Sequence, residues 1–167
     1  TIWIKNHGIP IKSDIKLFEE KIYLINQDNR LMCLNANDGS LIWNSRSIGS
    51  FIKSQHLLSL AISKEKDLII LNSSGDLVKL KSTTGQIYWT LSTLGSLYAH
   101  DTDFFRSSKI VLTDNEIFFS TDTSTFSFNL TNGQLNWEID IGSVNTPIID
   151  KNNIFVVTNN GYFLNLG

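Results

Sequence analysis

A tryptophan follows a turn glycine at the same spacing three times in this chain, and that recurrence constrains the fold more than any local propensity does. The copies are Gly39-Ser40-Leu41-Ile42-Trp43, Gly85-Gln86-Ile87-Tyr88-Trp89 and Gly133-Gln134-Leu135-Asn136-Trp137. The three tryptophans stand 46 and then 48 residues apart, and Gly49, Gly95 and Gly142 trail them by five or six residues. Self-similarity at a period of 20–50 residues is the signature of stacked supersecondary units, none of which can bury its apolar face alone.

Each unit reads as four short strands. The first contains an apolar-polar segment ending at Phe18, the turn Glu19-Glu20-Lys21, the run Ile22 to Ile25, the turn Gln27-Asp28-Asn29, a strand Arg30 to Asn35 and a strand carrying Trp43. Asp38-Gly39 has the composition of a tight hairpin turn with both central residues at positive φ. The second unit offers Leu57 to Ile62, Leu68 to Leu71, Asp76 to Leu80 and the Trp89 strand, and the third Ile110 to Leu112, Ile117 to Ser120, Phe126 to Leu130 and the Trp137 strand. A fourth contributes Ile148-Ile149, Ile154 to Val157 and Tyr162 to Leu166. Trp3 stands five residues before Gly8, as Trp137 does before Gly142, so residues 1–8 read as the last strand of a unit. The second strands are continuous apolar runs, which requires cover on both faces.

Four antiparallel strands repeated in tandem form the blades of a β-propeller. The expected fold is therefore all-β, with blades at residues 9–49, 50–95 and 96–142 and a fourth split between residues 1–8 and 143–167. The split blade is satisfied either by closure of one chain on itself or by the chain being about half of a larger ring. Open strand edges also invite head-to-tail self-association.

Composition excludes several classes of function. With 14 basic against 16 acidic side chains and a net charge of -2, the chain carries no footprint for nucleic acid or anionic lipid, and no apolar stretch is long enough to insert in a membrane. The lone Cys33 forms no internal disulfide and anchors no zinc site. His7, His56 and His100 fall in different units at no catalytic or metal-binding spacing, and read as exposed or satisfied loop residues. The sequence starts at Thr1 without a charged-then-apolar leader, as a mature or excised piece would. No cofactor, metal or catalytic residue is expected.

The residue after each tryptophan is Ile4, Asn44, Thr90 or Glu138, so the pattern is not that of a WD repeat, and no double glycine marks a kelch blade. The Gly-x-x-x-Trp element resembles the tryptophan-docking motif of the pyrroloquinoline-quinone-like propeller family. Where that family places Ala and Asp ahead of the glycine, this chain has Cys33 and Asn35, Lys79 and Lys81, Ser127 and Asn129. Residues Gly142 to Asp150 are similar to the family's first-strand signature. The resemblance implies about eight blades, and assigns Trp3, Gly39, Trp43, Gly85, Trp89, Gly133 and Trp137 to structural docking. Within the family the pattern is most similar to the non-catalytic lipoprotein scaffolds of the outer-membrane β-barrel assembly machinery. That likeness implies a periplasmic location and a protein partner, the barrel-forming subunit, bound through loops between blades.

The longest departure from the repeat is residues 96–106, and its aromatic, arginine and aspartate content suits an interface anchor. Leu97, Tyr98, His100, Asp101, Asp103, Phe104, Phe105 and Arg106 are the candidate partner-binding residues. A loop packing its own aromatics on the blades is the structural alternative. Two other family roles are a fragment of a quinone-dependent dehydrogenase, which would need a vicinal cysteine pair, and a luminal stress sensor, to which the sequons at Asn72 and Asn129 belong.

Overall fold

The computed structural model describes residues 2–46, 56–93, 105–151 and 153–167. They form two compact units, residues 1–104 and 105–167. Every regular element among the described residues is a β-strand.

In the first unit, β1 (Lys16–Phe18), β2 (Lys21–Ile25), β3 (Arg30–Asn35) and β4 (Leu41–Arg46) form one antiparallel meander, and β5 (Ser59–Ile62), β6 (Asp67–Leu71), β7 (Asp76–Lys81) and β8 (Ile87–Ser92) form a second. In the second unit, β9 (Val111–Leu112), β10 (Glu116–Ser120), β11 (Thr125–Asn129) and β12 (Leu135–Ile139) form a third. There β13 (Ile148–Asp150), β14 (Asn153–Val157) and β15 (Phe163–Leu166) form a three-stranded sheet in which, among the described residues, β15 bonds to β14 alone. Strand order follows chain order in every sheet, so each is built from hairpins alone.

The apolar second strands lie at the centre of the core. Leu68, Ile69, Ile70 and Leu71 are all at most 1% exposed, so both faces of β6 are covered. Tyr23, Ile25, Leu31, Cys33, Leu58, Leu60, Leu68, Ile70, Val78 and Leu80 form one cluster within the first unit. In the second unit, Phe119, Phe126 and Phe128 stack with centroids 5.3 to 5.9 Å apart. The expectation of two covered faces fails at β14, where Val156 is buried but Val157 is 39% exposed.

Two turns differ from expectation. The Asp38-Gly39 loop is not a two-residue hairpin: Gly39 has φ 69° whereas Asp38 is not in the left-handed region. Gly39 N donates to Asn35 O at 2.8 Å and Asn35 N to Ser40 O at 2.9 Å, closing a four-residue loop in which only the last residue is left-handed. Gly85 repeats this with Lys81 and Gln86, as does Gly133 with Asn129 and Gln134. The two-residue turn with paired positive φ occurs instead at Glu19 (φ 47°) and Glu20 (φ 57°), between Phe18 and its partner Lys21. Glutamate is uncommon there, because its Cβ crowds the backbone at positive φ.

Residues 2–7 form no strand, although the sequence reads as one. A strand exists only with a ladder partner, and these residues belong to no sheet.

Candidate interaction site

The sequence motif becomes a physical device at the junction between sheets. Trp43 leaves β4 beside a bulge: Cys33 pairs Trp43 and Leu34 pairs Leu41, so Ile42 is the extra residue. The same shift occurs at Lys79/Leu80 opposite Trp89 and at Ser127/Phe128 opposite Trp137. A bulge bends the strand and re-aims a side chain. The Trp43 ring thereby reaches the glycine turn of the next sheet, where its Nε1 donates to Ser82 O at 3.0 Å. Tyr23 lies against the same ring, with centroids 6.2 Å apart, and its hydroxyl donates to the same carbonyl at 3.4 Å.

The glycine is required twice over. Gly85 holds φ 72°, and a Cβ on it would lie 2.7 Å from the Trp43 ring. Trp3 docks in the same way one unit earlier: its Nε1 donates to Ala36 O at 3.1 Å, and a Cβ on Gly39 would meet the ring at 2.6 Å. In both cases the acceptor lies three residues before the glycine. Indole suits this role because it combines a large apolar face with a single donor.

Further bonds tie the two sheets of the first unit. Asn29, left-handed at φ 59°, donates from Nδ2 to Ser73 Oγ at 2.9 Å, while Ser73 N donates to Asn29 Oδ1 at 3.1 Å. Lys66 pairs with Glu19 across the sheets and lies 5.5 Å over the Phe18 ring. The hydrogen bond from Lys66 holds the Glu19 carboxyl below its ordinary range. Where the resembled pattern has alanine, buried Lys79 pairs with Asp67 at 3.3 Å and lies 5.8 Å from the Tyr88 ring. Tyr23 is pushed up to about 12 by burial, with the Cys33 thiol adding to the rise. Burial raises Cys33 as well, and its thiol is free and buried.

In the second unit Trp137 packs 6.0 Å from Phe118 and borders an open groove of about 1120 Å³. Val111, Leu112, Ile139, Ile154 and Leu166 supply its apolar walls. Below Trp137, Ser127 Oγ and Asn136 Nδ2 both donate to Glu116 Oε1, at 3.0 and 2.9 Å.

Of the candidate partner-binding residues, Leu97, Tyr98, His100, Asp101, Asp103 and Phe104 lie outside the described residues. Phe105 is half-buried and Arg106 exposed, immediately before Ser107, which bridges to Thr121. Buried Ser108 anchors this stem, accepting from Ser120 N at 2.9 Å. Ser13 does the same for Ile25 N at 2.8 Å, and Ser143 donates to Val157 O at 2.6 Å. Sequence reasoning missed these serines; the signal was a serine 12 residues before the end of the second strand, present at Ser13 and Ser108. His56 is exposed as expected. His7 is not: its Nε2 is buried without a hydrogen-bond partner. Among the described residues, no group of three or more His, Cys, Asp or Glu side chains could hold a metal ion.

The sequence profile of the family described as outer membrane protein assembly factor BamB matches residues 1–166. The chain belongs to this family. No curated protein sequence matches it. Among solved structures, BamB from Moraxella catarrhalis is similar at TM-score 0.74 and 16% identity, over 99% of this chain and 49% of that one. The chain thus spans about half the length of that BamB. The computationally designed Ika4 protein is similar at TM-score 0.72 and 12% identity, over 99% of this chain and 96% of that one. Quinohemoprotein alcohol dehydrogenase from Comamonas testosteroni gives TM-score 0.68 at 11% identity, over 92% and 30%. These likenesses show the fold, an all-β assembly of propeller blades, and at such identities nothing more.

Proposed function

We propose that this chain is a non-catalytic binding scaffold of the periplasm, engaging the barrel-forming subunit of the outer-membrane β-barrel assembly machinery. Membership of the BamB family over residues 1–166 carries this reading. Rigid sheets locked by docked indoles are a suitable platform for recognition by connections, and function on repeat scaffolds commonly resides there. The segment between β8 and β9 supplies the contacts, through Leu97, Tyr98, His100, Asp101, Asp103, Phe104, Phe105 and Arg106. Of the two members among the described residues, Arg106 is the exposed one.

Binding of the soluble periplasmic region of the barrel subunit to the wild type and to Arg106→Ala tests this. The variant should bind at least ~10-fold more weakly, as removal of an arginine hot spot does, with an unchanged thermal midpoint. Equal affinity would remove Arg106 from the interface, and a lowered midpoint would assign it to folding.

A further inference from the structure

Three Asp or Asn side chains in this sequence stand directly before a glycine: Asp38, Asn132 and Asn160. At such a pair the glycine nitrogen, unshielded by a Cβ, can attack the side-chain carbonyl carbon of the residue before it and close a succinimide ring. The fold treats the three pairs differently. Gly39 and Gly133 are buried, and the Trp3 ring rests on Gly39. Bonds from the Ser40 hydroxyl and amide hold the Asp38 carboxyl below its ordinary range, and the carbon of an ionised carboxylate resists attack. Asn132 is pinned at both ends of its amide: Oδ1 accepts from Gln134 N at 2.9 Å, and Nδ2 donates to Gln134 Oε1 at 3.2 Å. Ring closure there has to break both bonds and bring solvent to a buried main-chain nitrogen. Asn160 and Gly161, in the turn between β14 and β15, are both exposed. Gly161 has φ 89°, with no heavy atom within 4 Å of the place a Cβ would occupy. The Thr158 hydroxyl donates to Asn160 Oδ1 and is itself held by accepting from Tyr162 N at 2.9 Å. A fixed donor on that oxygen polarises the carbonyl and stabilises the negative charge that develops when its carbon is attacked. Asn160 Nδ2, the group that has to leave, has no hydrogen-bond partner among the described residues. The glycine nitrogens do not separate the pairs, since Gly133 N donates to Asn129 O at 2.9 Å and Gly161 N to Thr158 O at 3.0 Å.

We propose that Asn160 is a site of spontaneous covalent modification, converting in the folded chain to aspartate and isoaspartate. Gly161 N gives its proton to solvent and bonds to Asn160 Cγ; the Cγ–Nδ2 bond breaks, and Nδ2 takes up a solvent proton and departs as ammonia. Water then opens the ring at either carbonyl, so that the sum is amide plus water to carboxylate plus ammonium, with no change of oxidation state. Either product adds a negative charge to a cleft of about 510 Å³ that Asp122 and Asp140 already line. Isoaspartate also lengthens the main chain by one carbon immediately after Asn159, the residue that fastens this turn to its surroundings. Asn159 N donates to Gly142 O at 3.1 Å, its Oδ1 accepts from Val144 N at 3.0 Å, and its Nδ2 donates to Asp122 O at 3.2 Å. The modification therefore loosens the tie between the β14–β15 turn and the β10–β11 turn. This inference is independent of the partner proposed above.

Ageing the whole chain in mildly alkaline buffer, with each asparagine followed by fragmentation mass spectrometry, tests the assignment. Aspartate and isoaspartate should accumulate at Asn160 at least ~10-fold faster than at Asn132, whose two side-chain bonds have to break first. The same ageing in urea removes the structural difference, and the two pairs, both followed by glycine, should then react at similar rates. Equal rates in the folded chain would overturn the proposal. So would a preference for Asn160 that persists unchanged in urea, because it would come from local sequence rather than from the fold. Hydrogen exchange supplies the readout of the loosened tie: Val144 N should exchange faster in the aged chain than in the fresh one, and unchanged exchange in a sample rich in isoaspartate would refute that consequence.

Discussion

Replacement of Gly85 by alanine probes the device on which the fold depends. Two costs combine. At φ 72° an alanine enters the left-handed region, at about 1–2 kcal/mol. Its Cβ would also sit 2.7 Å from Trp43 ring carbons, which lie in a rigid indole and cannot yield as a flexible chain end would. Withdrawal of the ring stretches the Nε1 bond to Ser82 O, about 1 kcal/mol, and opens apolar contact with Tyr23. The sum is about 3 kcal/mol of lost stability in urea unfolding. A double-mutant cycle separates the two costs, because with Trp43 already truncated to leucine only the backbone term remains. Gly85→Ala should then cost about 1–2 kcal/mol, leaving a coupling of about 1–2 kcal/mol. Additive effects would refute the docking of Trp43 on this glycine.

Gly142→Ala should be more severe, since its Cβ would fall 1.9 Å from the Asp122 carbonyl oxygen; a loss of about 4 kcal/mol or failure to fold is expected in the same assay. Gly161→Ala, with open space around it at φ 89°, should cost only about 1–2 kcal/mol. Ser108→Ala leaves the buried Ser120 N without its acceptor and should cost about 1–3 kcal/mol by urea unfolding. Tyr23 titrates at about 12 in the fold against 10.0 for the free side chain, so the unfolded chain loses its proton first as pH rises. Stability is thus intact below pH 10 and declines by about 2–3 kcal/mol between pH 10 and 12. Tyr23→Phe should flatten that part of the pH profile, whereas an unchanged slope would place the titration elsewhere.

The repeat was legible because it is written in residues with unusual demands. A left-handed turn on which an indole also rests, as at Gly39 and Gly85, leaves no room for a Cβ, and a tryptophan at constant distance is too large to recur by accident. The strands follow from apolar runs whose covered faces leave no room for polar alternation, as in Leu68 to Leu71. Turn geometry was less legible: Asp38-Gly39 has the composition of a two-residue hairpin, but Asp38 instead caps the loop, its Oδ1 accepting from Ser40 N at 2.9 Å. The left-handed pair fell on Glu19 and Glu20, whose charges announce a turn but not its type. The buried serines were easy to miss because serine is common, and their 12-residue spacing from Ile25 N and Ser120 N gains meaning only once the strands are paired. Strand character at residues 2–7 depends on a partner that local sequence does not supply. In the candidate site, Phe105 and Arg106 lie just before the Ser108 anchor, and the segment leading to them stood out as the longest departure from the repeat and by its composition.

Under the proposed function, this BamB-family chain binds a protein rather than a redox cofactor. Titration calorimetry tests it most directly, with the chain in the cell and, in separate runs, pyrroloquinoline quinone with calcium or the soluble periplasmic region of the barrel subunit in the syringe. Saturable heat is expected with the protein, and none above dilution with the quinone. Stoichiometric uptake of the quinone, with no response to the barrel subunit, would contradict it.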